Sequence, residues 1–359
     1  MRDILKKVEA GQRLTAAEGV ELFEADILDL GRAANIVRER KNGRNAYYIV
    51  NRHINYSNIC VNRCRFCAFS RTRGEGGAYE MSPEDILERA KEAFEMGATE
   101  IHIVGGLHPE LPFEFYTAML GQIHSRYPHI HLQAFTAVEI AHLAKIANTG
   151  VEDVLKKLRD AGLGSLPGGG AEVFSPRVRA EICPEKLPGQ DWLAVMRTAH
   201  KLGIRSNATM LYGHIETPEE KIEHLVKLRE LQDETGGFLS FIPLAFHPEN
   251  TQVSSLGRTT GIEDLKNIAV SRLMLDNFDH IKAFWIMLGL KLAQVSLSFG
   301  ADDMDGTVVE EKITHMAGAR TPEAVSVRRM RFLILESGYT PIERDTLYRQ
   351  QAARSDIPA

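Results

Sequence analysis

The apolar, strand-like run Ala46-Tyr47-Tyr48-Ile49-Val50-Asn51-Arg52-His53-Ile54-Asn55-Tyr56 leads, three residues on, into Cys60-Val61-Asn62-Arg63-Cys64-Arg65-Phe66-Cys67. The thiols are spaced C-x3-C-x2-C. Soft thiolates packed that closely suit one soft centre, and an iron–sulfur cube is the natural tenant. A cube has four irons, so three cysteines leave one iron without a protein ligand, and an open metal position is where a substrate binds and is activated. Two other readings stand beside this one: a structural zinc site completed by a histidine such as His53, or three clustered cysteines with no metal. Structural zinc usually shows two ligand pairs separated by a long gap, whereas here there is one triplet and no second pair.

Outward from this stretch, strand-like and helix-like runs alternate. The strands expected are Ala46–Asn55, Glu100–Val104, His131–Thr136, Ser165–Pro167, Ile204–Met210, Leu239–Ala245, His280–Met287 and Val295–Ser298. Between them fall helical patterns such as Pro83–Met96 behind the cap Ser82, Phe113–Ser125, Val138–Ala147, Val151–Ala161, Gln190–Leu202, Pro218–Glu234 behind Thr217, Glu263–Phe278 and Glu323–Glu336. Strand–helix alternation with short joints means parallel strands linked by crossover helices, and eight strands suggest an α/β, (β/α)8 TIM-type barrel. Residues 1–44 read as an N-terminal helical extension and 45–359 as the barrel with its C-terminal helices. In such barrels chemistry gathers in the loops after the strands, where the unusual sequences of this chain lie.

An aromatic residue, Phe66, directly before the third cysteine completes a signature that resembles the radical S-adenosylmethionine (SAM) superfamily. The resemblance implies a [4Fe-4S] cluster on Cys60, Cys64 and Cys67, with SAM chelating the fourth iron. One-electron reduction then cleaves SAM to methionine and a 5′-deoxyadenosyl radical. It also implies that Phe66 and the pair Gly105-Gly106 lie against SAM; a glycine pair at a strand end lets backbone approach a ligand closely. Gly168-Gly169-Gly170 lacks the Lys-Ser/Thr of a P-loop. It is read instead as backbone approaching the adenosine part of SAM, with Glu172 or Glu139 accepting ribose hydroxyl protons. A glycine turn beside two solvated glutamates is the plain alternative. His247, Asn250, Asn207 and His214 sit at strand ends where polar groups orient a ligand; Asn207 is counted with the SAM-binding residues, His247 and Asn250 with the substrate-binding ones. Asp302, Asp303 and Asp305 fit no calcium loop and point to substrate hydrogen bonds or loop structure.

Ile101–Pro109, Ser165–Glu172, Asn207–His214 and Leu231–Phe238 are similar to the futalosine-pathway enzymes of menaquinone biosynthesis and their deazaflavin-making relatives, over roughly Asn45 to Tyr348. Ile242–Thr251 and Gly300–Thr307 are most similar to the synthase branch. The sibling cyclase typically shows a tryptophan near Leu244, absent here. The synthase resemblance implies that the adenosyl radical adds to the enolpyruvyl double bond of 3-[(1-carboxyvinyl)oxy]benzoate. Aryl migration and loss of bicarbonate then give 6-amino-6-deoxyfutalosine. The cyclase and deazaflavin relatives would instead abstract hydrogen and release 5′-deoxyadenosine. Arginines suit the two substrate carboxylates geometrically, and Arg71 and Arg73 are the candidates by position. A reduced flavodoxin- or ferredoxin-type electron donor is the implied partner.

The chain has 359 residues, 44% hydrophobic and 25% charged, enough for a large core. A formal charge of −5 lacks the basic footprint of nucleic-acid binding; Arg328, Arg329 and Arg331 read as a solvated helix face. Of four cysteines, Cys183 has no partner once the triplet binds metal, which excludes a disulfide framework and favours a reducing cytoplasm. Met1–Gly11 carries no apolar signal-peptide core, and the most apolar segment, Ala283–Gly300, is interrupted by Gly289 and Lys291 and is short for a bilayer. A small-molecule substrate, no nucleic acid and no membrane are therefore expected.

Overall fold

The computed structural model describes residues 2–352. Ten strands form: β1 Asn45–Ile49, β2 Asn51–Ile54, β3 Glu100–Ile103, β4 His131–Ala134, β5 Ser165–Leu166, β6 Arg205–Tyr212, β7 Phe238–Ala245, β8 His280–Ile281, β9 Asp303–Gly306 and β10 Thr340–Arg344. Strands β2 to β8 make one parallel sheet in sequence order, and β10-β1-β9 make a second, also parallel. Crossover helices cover the outside, as parallel pairing requires. The seam of the seven-stranded wall is bridged by residues 303–309: Lys282 pairs with Asp303 on one side and Arg52 with Val309 on the other. The α/β TIM-type architecture is thus present, with an eighth wall position held by single bridges in place of a full strand.

Alternation along the strands sorts the two faces. Ile101, Ile103, Leu132, Ala208, Met210 and Tyr212 are buried apolar residues, at most 1% exposed. Their neighbours Asn51, His53, His102, Gln133, Asn207 and Thr209 border the interior. The interior of this barrel is polar at its floor.

Three strand expectations are corrected. Ala46–Asn55 is two strands, because the chain leaves one sheet for the other at Val50. The run His280–Met287 is strand only over His280–Ile281 and turns helical at Trp285–Leu288. Val295–Ser298 is not a strand at all: its alternation is incidental, and it spans the end of the helix Leu290–Ser296 and the turn after it, with Ala293, Ser296 and the C-cap Leu297 buried at helical spacing while Val295 is exposed. The acidic segment read as a loop beyond it supplies β9. β10, unforeseen, carries Pro341 and has β1 as its one neighbouring strand among the described residues, with a single bridge from Arg344 to Gln350 beyond it; Pro341 thus lies on an edge strand, where a missing N–H is tolerated.

Helices Arg2–Glu9, Ala16–Leu22 and Ile27–Asn42 precede the strands. Ile27–Asn42 lies against Gly261–Met274, and an added Cβ at Gly31 would meet the Phe299 ring at 2.5 Å, so this helix also fits closely against the turn that follows Leu290–Ser296. Among the described residues no helix is long and apolar enough to cross a membrane.

Candidate active site

A cavity of about 330 Å³ opens at the carboxyl ends of the strands. Cys60, Cys64 and Cys67 stand on its wall, held by the loop that leaves β2. Cys60 N–H donates to Arg71 O at 3.1 Å, Val61 N–H to Leu107 O at 3.0 Å and Cys67 N–H to Cys64 O at 3.0 Å. Burial raises the Cys60 thiol and pushes that of Cys64 up to about 12, against the opposing pull of Lys186. Bare thiolates are therefore disfavoured, and a soft metal bound here would have to displace the protons. Among the described residues no three His, Cys, Asp or Glu side chains close on a single ion-sized point; the thiols border a wider space. That donor set fits a polynuclear iron–sulfur group with one thiolate per iron. His53 is not placed to complete a zinc site: its ring stacks on His102, centroids 4.5 Å apart.

Gly105 and Gly106 border the cavity, but their missing side chains serve the protein first. A Cβ on Gly105 would meet the Tyr56 ring at 2.6 Å, and one on Gly106 would meet Ile59 O at 2.3 Å. The glycines let the cysteine loop lie directly on the end of β3. Gly105 N–H donates to Glu139 Oε1 at 3.0 Å, and Tyr56 O–H donates to the same oxygen at 3.0 Å. Glu139 Oε2 accepts from Thr136 N–H at 2.8 Å and Thr136 O–H at 2.9 Å, completing the capping box of helix Ala137–Ile146. Both oxygens of Glu139 are consumed inside the protein, so the ribose role weighed for it has no free acceptor. Burial still pushes its carboxyl up to about 7.

Gly168, Gly169 and Gly170 likewise face protein: an added Cβ would meet Ala208 backbone, Thr136 and Val138 respectively. Glu172, at a left-handed φ of 49°, lines the cavity. Its Oε1 lies 2.5 Å from Lys186 Nζ, and no hydrogen bond reaches its other oxygen among the described residues. Burial opposes the charge on Lys186, yet Glu172 and the thiols of Cys64 and Cys183 hold its pKa above the ordinary lysine value. Lys186 also stands 5.2 Å from the centroid of the Phe66 ring. Asn207 reaches the cavity, donating to Gln133 Oε1 at 3.3 Å and accepting from Ser240 O–H at 2.9 Å. His247 reaches it too. Its Nε2–H donates to Met287 O at 3.0 Å, leaving Nδ1 buried and unpartnered among the described residues.

Other candidates are not brought here. Arg71 donates to Ala68 O and Ser70 O at 2.8 Å each, bracing the cysteine loop from behind. Arg73 pairs with Glu110 at the surface. Asn250 is exposed and donates to Met316 O at 2.9 Å. His214 is closed into a pair with Glu216 at 2.9 Å. Asp302 is taken by Arg272 and His280, and Asp303 by Arg344 and Tyr348; only Asp305, paired with Lys282 at 3.1 Å, borders the cavity. No arginine lines the cavity among the described residues, contrary to the geometric expectation for carboxylates; its cations are Lys186 and Lys282.

Comparison with known proteins now decides the family. Residues 54–228 match the Radical SAM superfamily, and residues 235–357 match the CofH/MqnC C-terminal region. The chain is 48% identical to an aminodeoxyfutalosine synthase of Thermus thermophilus, covering 97% of this chain and 95% of that one. The chain belongs to the radical SAM superfamily. A second relative by sequence, a 5-amino-6-(D-ribitylamino)uracil--L-tyrosine 4-hydroxyphenyl transferase of Methanopyrus kandleri, is 43% identical over 95% of this chain and 93% of its own. Among solved structures, a methylornithine synthase superposes with a TM-score of 0.77 at 18% identity, covering 94% of this chain and 97% of that one, which supports the fold. Radical SAM enzymes use a [4Fe-4S] cluster and SAM, and the three-thiol wall is the donor set such a cluster needs.

The residues that strand-end reasoning passed over are His53, His102, Gln133 and Lys282. Part of their signal was present: polar residues at every second position of otherwise apolar strands, as in Glu100-Ile101-His102 and Asn207-Ala208-Thr209, mark an interior that holds a polar ligand.

Proposed function

We propose that this radical SAM enzyme is an aminodeoxyfutalosine synthase. It joins the 5′-deoxyadenosyl group of SAM to the enolpyruvyl double bond of 3-[(1-carboxyvinyl)oxy]benzoate, giving 6-amino-6-deoxyfutalosine, methionine and bicarbonate for menaquinone biosynthesis. The observation that carries the reading is the 48% identity to a synthase of that name along almost the whole of both chains, with all three signature thiols on one cavity wall. Cys60, Cys64 and Cys67 would hold the cluster, which would supply the electron that divides SAM.

The chain's own residues do the rest by position. Glu139 fixes the peptide of Gly105, so the backbone beside the thiols is rigid before any ligand arrives. Phe66, Phe246, Phe284, Met287 and Leu244 form an apolar wall that excludes water, which matters because proximity in a dry site decides addition against quenching. Leu244 lines this wall, near where the cyclase typically shows a tryptophan. His247, its tautomer set by Met287 O, offers Nδ1 as an acceptor to a substrate group. A reduced flavodoxin- or ferredoxin-type protein would deliver the electron in a reducing cytoplasm, with no nucleic acid or membrane involved.

A second reading is favoured by the 43% identity to the tyrosine 4-hydroxyphenyl transferase. Incubating the reduced, reconstituted protein with SAM and the enolpyruvyl benzoate separates them. Adenine carried into a larger product is expected; free 5′-deoxyadenosine as the main product would sink the synthase assignment. Cys64→Ala should bind far less than the about four irons per chain of the intact protein.

A further inference from the structure

Resting on the synthase reading, one part of the cavity has no task yet. At its floor, remote from the thiols, His53, His102, Lys282 and Asp305 border the same space. Strand register sets His53 beside His102 and His102 beside Gln133. His102 Nδ1 faces Gln133 Oε1 at 3.2 Å, an oxygen that must accept, so His102 carries its proton there. His53 is 8% exposed and its ring makes no hydrogen bond among the described residues, although it lines the cavity. A buried imidazole without a partner costs free energy that a bound ligand would recover. Lys282, 5% exposed, gives one of its three N–H groups to Asp305 Oδ1 at 3.1 Å and none to any other side chain described. The nearby Glu100 is spoken for, accepting from Asn51 at 3.1 Å and Thr346 at 2.8 Å. Two N–H groups of Lys282 and one ring N–H of His53 are therefore left to donate to a ligand oxygen.

We propose that this floor is the subsite for the ring carboxylate of the aromatic substrate, with the ammonium of Lys282 and the ring N–H of His53 as its donors. Distance along the strand supports the orientation. Gly105, beside the cysteine loop, stands three residues beyond His102, about 10 Å at roughly 3.3 Å per residue. In the enolpyruvyl benzoate the ring carboxylate is the group farthest from the double bond. Seating it on the floor points the double bond at the thiol wall, where the adenosyl carbon must arise. His53 and Lys282 are thus substrate-binding and specificity residues, and the hydrogen bond to Asp305 aims the Lys282 side chain. Burial holds both imidazoles below the ordinary histidine range, so they are neutral hydrogen-bonding groups in the empty site.

The test uses oxidised holoenzyme with SAM and no reductant, so nothing turns over. Equilibrium dialysis compares 3-hydroxybenzoate with phenol, which lacks only the carboxylate. We expect the benzoate to bind at least about tenfold more tightly. His53→Phe keeps the stack on His102 but removes the donor, and should cut that ratio about threefold while phenol binding stays constant. Lys282→Met is paired with Asp305→Asn so that no charge is left buried alone, and should remove the remainder of the preference. A wild-type protein without preference, or variants that weaken both ligands alike or leave the ratio unchanged, would overturn the subsite. Because the ratio is read without turnover, it stands or falls independently of whether the adenosyl adduct forms.

Discussion

The ammonium of Lys186 sits 2.5 Å from Oε1 of Glu172, the side chains 15% and 8% exposed, and it also borders Phe66 and Cys64 at the thiol wall. Breaking a buried pair from one side leaves an uncompensated charge, at a cost of about 3 to 5 kcal/mol. Lys186→Met should therefore lower stability by about that amount in urea unfolding of the apo-protein. The double variant Lys186→Met, Glu172→Gln should recover most of it, since no lone charge remains. If the double variant were as unstable as the single one, packing and not charge pairing would be what Lys186 contributes.

Gly106→Ala tests why the glycine pair is there. An alanine Cβ would lie 2.3 Å from Ile59 O, closer than any contact that can be absorbed by a side chain, so the loop carrying Cys60 must move. We expect a stability loss of about 1 to 3 kcal/mol and a reduced iron content after anaerobic reconstitution. Full iron loading in the variant would show that the close approach of the two backbones is dispensable for cluster assembly.

Glu139 makes a pH statement. Burial raises its carboxyl to about 7, above the ordinary 4.5, in spite of the four donors aimed at it. The folded state then holds a proton that the unfolded state releases, so stability is fully present below about pH 4.5 and falls as pH rises through about 7. The full effect is on the order of 3 kcal/mol. Glu139→Gln should be less stable at pH 5, because its amide N–H faces the Thr136 N–H, yet lose this slope. Urea midpoints at pH 5 and 8 for both proteins decide it; parallel slopes would assign the pH dependence to other groups.

Much of this was legible in the chain. The cysteine spacing, the capping boxes at Ser82 and Thr217, and the runs of β3, β4, β6 and β7 read directly, because each is a local pattern with one physical meaning. What escaped depends on partners far away in sequence. Asp303 and Gly306 pair with Tyr47 and Ile49 of β1, near the other end of the chain, which makes a strand of what looks like an acidic loop, and Arg71 turns back onto the carbonyls of Ala68 and Ser70 where position alone suggested a substrate. The floor of the cavity was hidden for a related reason. A histidine in a strand has no signature of its own, and only the register of β2 on β3 puts His53 against His102.

The rim of the cavity offers the last test. His315 aims Nδ1 at Glu311 O, 2.6 Å away, and Nε2 at Thr321 O, 3.0 Å away, with Glu311 Oε2 at 3.4 Å from Nδ1. Carbonyl oxygens only accept, so satisfying both requires a proton on each nitrogen, an imidazolium. The Glu311 side chain is the main cause that raises its pKa to about 9. This cation ties together the segment that carries Ile313, Thr314 and Ala317 to the cavity wall. The group is raised, so its contribution is complete below about pH 6.5 and is lost as pH climbs through about 9. Amide exchange of residues 311–321, corrected for the intrinsic rate, should lose protection between pH 7 and 10. In His315→Gln protection should be lower at pH 7 and nearly independent of pH, because glutamine carries no titrating charge. Equal pH dependence in both proteins would remove His315 as the tie and leave the rim held by its backbone turns alone.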